Sequence, residues 1–165
     1  KFQSLYKALV QSHIVALKVL HNNRPPKHVE VNLQIMLAEL WDALHGIYLL
    51  RQSSPRALDL TASFGERLSA LIIASFLQQS RPSCFVDSRE MVKTDDQFMH
   101  AAVQFDKTNR AIKAYFKRLF EHSSKRLIPV VTGFIGSTDD GLTTTIGRNG
   151  SDYSAAIFGA ALDAA

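Results

Sequence analysis

Leu127-Ile128-Pro129-Val130-Val131-Thr132-Gly133-Phe134 decides the fold. The run is short, apolar and β-branched, which predicts a buried strand. Just upstream, Lys107, Arg110, Lys113, Lys117 and Arg118 fall mostly opposite Ile112, Tyr115, Phe116, Leu119 and Phe120, the pattern of an amphipathic helix from about Lys107 to His122. Further upstream, Ser83-Cys84-Phe85-Val86 is another short apolar run. Strand, helix and strand in that order predict an α/β domain, with Asp87-Ser88-Arg89 where parallel strands deliver side chains to a site.

Working outward toward the amino end, three helices are expected. Residues 1 to 21 bring Leu5, Leu9, Ile14, Leu17 and Leu20 to one side together with His13, and Asn22-Asn23-Arg24-Pro25-Pro26 stops that helix. From about Glu30 to Leu50, Leu33, Met36, Leu37, Leu40, Trp41, Leu44 and Ile47 form a continuous apolar stripe, closed by the turn Ser53-Ser54-Pro55. Helical spacing resumes from Ala57 to Leu77, where Ser63-Phe64-Gly65 is expected to interrupt it, because glycine inside a helix costs about 1 kcal/mol relative to alanine.

Toward the carboxyl end, Asp139-Asp140-Gly141 signals a turn within residues 135–146 and predicts a small hairpin ending on Thr143-Thr144-Thr145. Gly147-Arg148-Asn149-Gly150-Ser151-Asp152 then leads into a small-residue helix from Ser151 to Leu162. A flexible glycine loop at a helix start turns backbone N–H groups toward an anion, and the Arg148 guanidinium is a planar fork suited to a carboxylate. Ser151 and Asp152 also stand where helix caps stand, so a capped helix and an anion-binding loop both fit these six residues.

Composition narrows the function classes. With 165 residues, of which 46% are hydrophobic and 21% charged, the chain suffices for one globular domain with a core and has no disorder signature. The net charge of +4 is modest and its densest run lies on one helix face, while Trp41 and the phenylalanines sit at core spacing, so no nucleic-acid partner is expected. A single cysteine, Cys84, excludes an internal disulfide and a multi-cysteine metal site and suits a reducing compartment, cytoplasm or plastid stroma. His13, His21, His28, His45, His100 and His122 lack metal-ligand spacing and are read as surface or packing residues, so no protein-held metal is expected. No run of about 18 apolar residues and no signal peptide appear, and no membrane association is expected.

Val131-Thr132-Gly133-Phe134-Ile135-Gly136, followed by Thr144-Thr145-Ile146-Gly147-Arg148-Asn149-Gly150-Ser151-Asp152-Tyr153-Ser154-Ala155, resembles the strand, hairpin and active-site loop of the aspartate kinases. Two further blocks resemble that family in the same order. They are Ser63-Phe64-Gly65-Glu66-Arg67-Leu68-Ser69-Ala70, and Phe85-Val86-Asp87-Ser88-Arg89 with Thr94-Asp95-Asp96. Leu44-His45-Gly46-Ile47 and Asn149 look most like the kinase portion of bifunctional aspartokinase–homoserine dehydrogenases.

The resemblance implies a three-layer α/β/α amino-acid kinase fold with a mainly parallel sheet, of which residues 1–165 form a partial, helix-rich catalytic domain. It implies transfer of the ATP γ-phosphoryl group to the side-chain carboxylate of L-aspartate with Mg2+, and a homo-oligomeric full-length protein. Carried over by position, Arg148 binds the α-carboxylate of aspartate, Glu66 its ammonium group, Ser151 helps hold the substrate, and Asp152 orients the catalytic lysine. Thr132, Gly133, Gly136 and Gly147 are implied nucleotide contacts, with glycines that let the backbone approach phosphates.

The family's Lys-Phe-Gly-Gly-Thr-Ser loop is absent, since Lys1-Phe2 is followed by Gln3-Ser4, and its later Asp-Gly-Val and Asp-Pro-Arg segments are absent too. A sheet lacking those strands has open edges, so the isolated chain is expected to be unstable and inactive alone. Two alternatives stand beside this reading: another amino-acid kinase with a different acceptor, such as glutamate or acetylglutamate, or a non-catalytic aspartate-binding or regulatory protein.

Overall fold

The computed structural model describes residues 1–121, 123, 127–147 and 149–164. Three helices come first, α1 (Phe2–Leu20), α2 (Lys27–Leu50) and α3 (Pro55–Leu77). Ser54 starts α3 by accepting a hydrogen bond from the Ala57 N–H at 3.2 Å, and Pro55 occupies its first turn, where a missing N–H costs nothing. Leu17 of α1, Leu33, Leu37 and Leu40 of α2, and Phe64 and Leu68 of α3 interlock as one core.

Trp41 sits at the edge of this core in a column of rings. Its centroid lies 5.3 Å from Phe2, 4.8 Å from Tyr6 and 5.1 Å from His45. The Tyr6 hydroxyl donates to the Leu37 carbonyl at 2.7 Å, so the ring column is fastened by a polar tip.

Helix α3 runs unbroken through Gly65, which corrects the expected interruption. A Cβ at Gly65 would meet nothing within 4 Å, so the glycine is an exposed interior position with low propensity, which the flanking Phe64 and Leu68 contacts outweigh. At 23 residues, α3 is also long and apolar enough to cross a membrane by length and composition, yet half of its most apolar window is buried within this fold.

The α/β portion follows as β1 (Ser83–Val86), a 3-10 turn (Ser88–Glu90), α4 (Phe105–Glu121), β2 (Ile128–Val131), β3 (Ile135–Ser137), β4 (Thr143–Thr145) and α5 (Gly150–Ala161). Strands β1 and β2 pair in parallel, from Ser83 opposite Ile128 to Val86 opposite Val131. Strands β3 and β4 form the expected hairpin, with Ile135 opposite Thr145 and Gly141 at φ +78° in its turn.

Alternation along β1 creates the layers, because successive side chains face opposite sides. Phe85 joins the α1–α3 core, whereas Val86 and Cys84 pack with Ile112 and Phe116 of α4 and Ile157 of α5. Helices thus cover both faces of a parallel pair, the three-layer α/β/α arrangement expected from the sequence. Burial raises the pKa of the half-buried Cys84 thiol.

Candidate active site

Parallel strands expose the turns after their carboxyl ends, and here two such turns meet. After β1, the Ser88 N–H donates to the Thr132 hydroxyl oxygen at 2.8 Å, while the Thr132 hydroxyl donates to Ser88 Oγ at 2.8 Å. Ser88 Oγ in turn donates to the Ile135 carbonyl at 2.8 Å. This buried chain of hydroxyls welds the end of β1 to the turn that joins β2 to the hairpin.

Within that turn Phe134 has φ +65°, a left-handed conformation that is strained for any side chain with a Cβ. It is pinned from both sides: its N–H donates to Ser154 Oγ at 2.8 Å, and its carbonyl accepts from the Ile146 N–H at 3.0 Å. Opposite it, Gly150 has no room for a side chain, since a Cβ would lie 2.5 Å from Phe134 Cδ2. Gly150 therefore seats the start of α5 directly on the Phe134 turn.

Helix α5 begins at Gly150 with Asn149 as its N-cap at φ +58°, and the Asn149 side chain makes no cap hydrogen bond. Ser151 and Asp152, candidate caps in the sequence, lie inside the first helical turn and are exposed. A Cβ at Gly133 would come within 3.2 Å of Ser151, so Gly133 and Ser151 are neighbours across the two loops. Gly147, at φ +79°, lies where a Cβ would meet His100 Nδ1 at 3.2 Å.

Thr132 and Gly136 have interior places. The Thr132 hydroxyl is committed to Ser88, and a Cβ on Gly136 would strike the Val92 carbonyl at 2.8 Å. Neither offers the open cradle that an approaching phosphate needs, whereas Gly133 and Gly147 are only half-buried and face the loop pair. Arg148 lies outside the described residues. Among the described residues no three His, Cys, Asp or Glu side chains converge on a metal position.

The facing wall is α3. Glu66 is half-buried there, and Asp59, two turns earlier, is 1% exposed. Asp59 accepts hydrogen bonds from the Met99 N–H at 2.8 Å, the Thr145 N–H at 3.0 Å and the Thr145 hydroxyl at 2.7 Å. Bonds to a buried charged acceptor are worth about 1.5–3 kcal/mol each, so three of them offset the burial of the carboxylate. Leu58, Ala62, His100, Phe134 and Gly147 line, with Asp59, a groove of about 270 Å3. Sequence reading missed Asp59 and placed His100 as a surface or packing residue; periodicity shows which face a residue occupies, not a partner 86 positions away.

Beside this wall Asp87 bridges two arginines. Arg89 donates through Nε and Nη2, the latter at 2.6 Å, and through Nη1 to Thr143 Oγ1 at 2.9 Å. Arg67 Nε approaches Asp87 at 3.4 Å as an ion pair without hydrogen-bond geometry, and Arg67 also lies over the Phe64 ring. Burial, then the Arg89 cation, lowers the Arg67 pKa, against the opposite pull of Asp87 and Glu39. The cluster ties α3 and β1 to the hairpin.

A helix-covered parallel strand pair, followed by a hairpin and a glycine loop that opens α5, defines a class that known proteins make explicit. The profile of the amino acid kinase family matches residues 10–165, and the chain belongs to that family. Within it, the chain is similar to aspartokinases: it is 38% identical to aspartokinase 1 of Bacillus subtilis over 74% of its own length and 30% of that protein. To the bifunctional aspartokinase/homoserine dehydrogenase of Buchnera aphidicola it is 29% identical over 88% of its length and 17% of that protein. The chain thus spans less than a third of these two relatives. Among solved structures, Escherichia coli aspartokinase III in complex with aspartate and ADP superposes with a TM-score of 0.77 at 29% identity, over 88% of this chain and 31% of that one.

Proposed function

We propose that this chain is part of an aspartokinase catalytic domain and forms the acceptor side of its site. In the complete enzyme the side-chain carboxylate of L-aspartate attacks the γ-phosphorus of ATP, the bond to ADP breaks, and 4-phospho-L-aspartate forms. ATP with Mg2+ supplies the phosphoryl group and neutralises its charge. The observation that carries the reading is the meeting of Gly133 with Ser151 across two loops, beside a groove walled by the Glu66-bearing helix. The likeness to an aspartokinase solved with aspartate and ADP supports the same acceptor and donor.

The residues divide the work by charge. An ionised carboxylate needs no strong base, so catalysis rests on positioning and on neutralising charge that develops in transfer. Glu66 suits the substrate ammonium group, Arg148 its α-carboxylate, and Ser151 offers an exposed hydroxyl at the amino end of α5. Asp152 is an acidic residue in the first turn of α5, and its carboxylate suits the role of orienting a lysine. Backbone at Gly133 and Gly147 is open enough to face phosphates, and Thr132 and Gly136 shape that turn from inside.

The test is hydroxamate trapping of the acyl phosphate by the full-length protein, with aspartate, glutamate and acetylglutamate as acceptors. Product with aspartate alone is expected; a preference for another acceptor overturns the proposal. Arg148→Ala should raise the aspartate KM at least tenfold, while Lys113→Ala on α4 should leave it unchanged.

A further inference from the structure

We propose that Asp59 is a positioning residue for the acceptor pocket. Its buried carboxylate holds the Met99 and Thr145 backbones against α3 and so sets the gap between Glu66 and the Gly147–Ser151 loop. The inference rests on the aspartokinase reading for the pocket's content, and on this chain's geometry for the clamp.

Three observations converge. First, Asp59 gathers donors from two separate segments, the Met99 N–H on the loop before α4 and both the N–H and hydroxyl of Thr145 at the end of β4. Among the described residues no ion pair reaches it, so these donors alone satisfy a carboxylate that is 1% exposed. Removing the carboxylate would leave the Met99 and Thr145 N–H groups without their acceptor.

Second, the clamped segments are those that frame the loop. Thr145 stands two residues before Gly147, and its carbonyl accepts from the Ala101 N–H at 3.0 Å, closing a ring from α3 through residues 99–101 to β4. Met99 is held at φ +72°, a conformation that persists for a non-glycine residue only where its surroundings impose it. Met99, His100 and Gly147 then line the groove whose floor includes Asp59 itself.

Third, Asp59 and Glu66 share one face of a single rigid helix. Seven residues put them about 10 Å apart along the axis, nearly in line. Fixing β4 to Asp59 therefore fixes the following loop relative to Glu66, the group proposed for the ammonium of the bound amino acid. Nothing else described connects the Gly147 end of β4 directly to α3 through a charged side chain.

The experiment uses the full-length protein and compares Asp59→Ala, Thr145→Val and Thr145→Ser with wild type. It reads aspartate KM, ATP KM and kcat, thermal midpoint, and hydrogen exchange by segment. A positioning role gives an aspartate KM raised at least tenfold by Asp59→Ala and several-fold by Thr145→Val, with ATP KM within twofold. Thr145→Ser, which keeps the hydroxyl, should stay near wild type. Exchange should quicken in residues 97–101 and 143–152 while α2 and α4 remain protected.

Lowered thermal midpoints with an unchanged aspartate KM, or exchange that quickens evenly through the chain, overturns the inference. Should Asp59→Ala fail to fold, Thr145→Val removes one of the three bonds and decides the same question. If wild type makes no aspartyl phosphate, the functional reading falls. Exchange then judges the clamp: local quickening keeps it, and no local change overturns it.

Discussion

The two halves of the molecule are held together by different forces. In the helical half, Leu17, Leu33, Leu37, Leu40, Phe64 and Leu68 exclude water from one another, and a buried hydroxyl joins separate segments where Ser75 meets His21 at 3.0 Å. In the half that carries the site, Ser88, Thr94, Thr108, Thr132, Thr144 and Ser154 are buried, and almost every turn is fixed by a hydroxyl reaching backbone or another hydroxyl. Apolar burial is strong but non-directional, whereas hydrogen bonds fix angles and distances. A stable platform and an accurately shaped loop cluster are thus built by different chemistry in one chain.

Substitutions can break or sharpen that contrast. The largest effect is expected in the helical half, where Phe64→Ala should cost about 3–5 kcal/mol in chemical denaturation through the cavity it leaves, and should remove the ring beneath Arg67. In the site half, Gly150→Ala forces a methyl to within 2.5 Å of Phe134 and should cost about 1–3 kcal/mol, with activity falling by more than stability predicts because α5 must shift. Thr132→Val keeps the shape but strips the partner from the Ser88 N–H, costing about 1–3 kcal/mol in the same measurement. The smallest change has the opposite sign: Gly65→Ala should stabilise by up to about 1 kcal/mol, and a loss of activity despite that gain would mark the exposed face beside Glu66 as a contact surface.

The same division decided what could be seen in the sequence. Leu33, Leu37 and Leu40 announce α2 by spacing alone, and Val130-Val131 and Asp139-Asp140-Gly141 announce β2 and the hairpin, because burial and turn geometry are local signals. Gly65 misled, since local propensity is weak against the packing of Phe64 and Leu68 on either side of it. Gly133, Gly147 and Ser151 were found as a loop set through resemblance, and the structure brings Gly133 and Ser151 together. The interior roles of Thr132 and Gly136 and the clamp at Asp59 depend on partners 40 to 86 residues away. A hydroxyl carries no periodic signature that tells which distant backbone it will meet.

The ring column around Trp41 gives the protein a built-in optical reporter. Trp41 is the sole tryptophan, and its indole touches α1 through Phe2 and Tyr6 and its own helix through His45. Its emission will therefore follow the docking of α1 on α2 and remain silent to the loops around Gly147. A denaturation curve recorded by fluorescence alone is a record of the platform, and only a second probe placed near α5 would reveal whether the site loosens first.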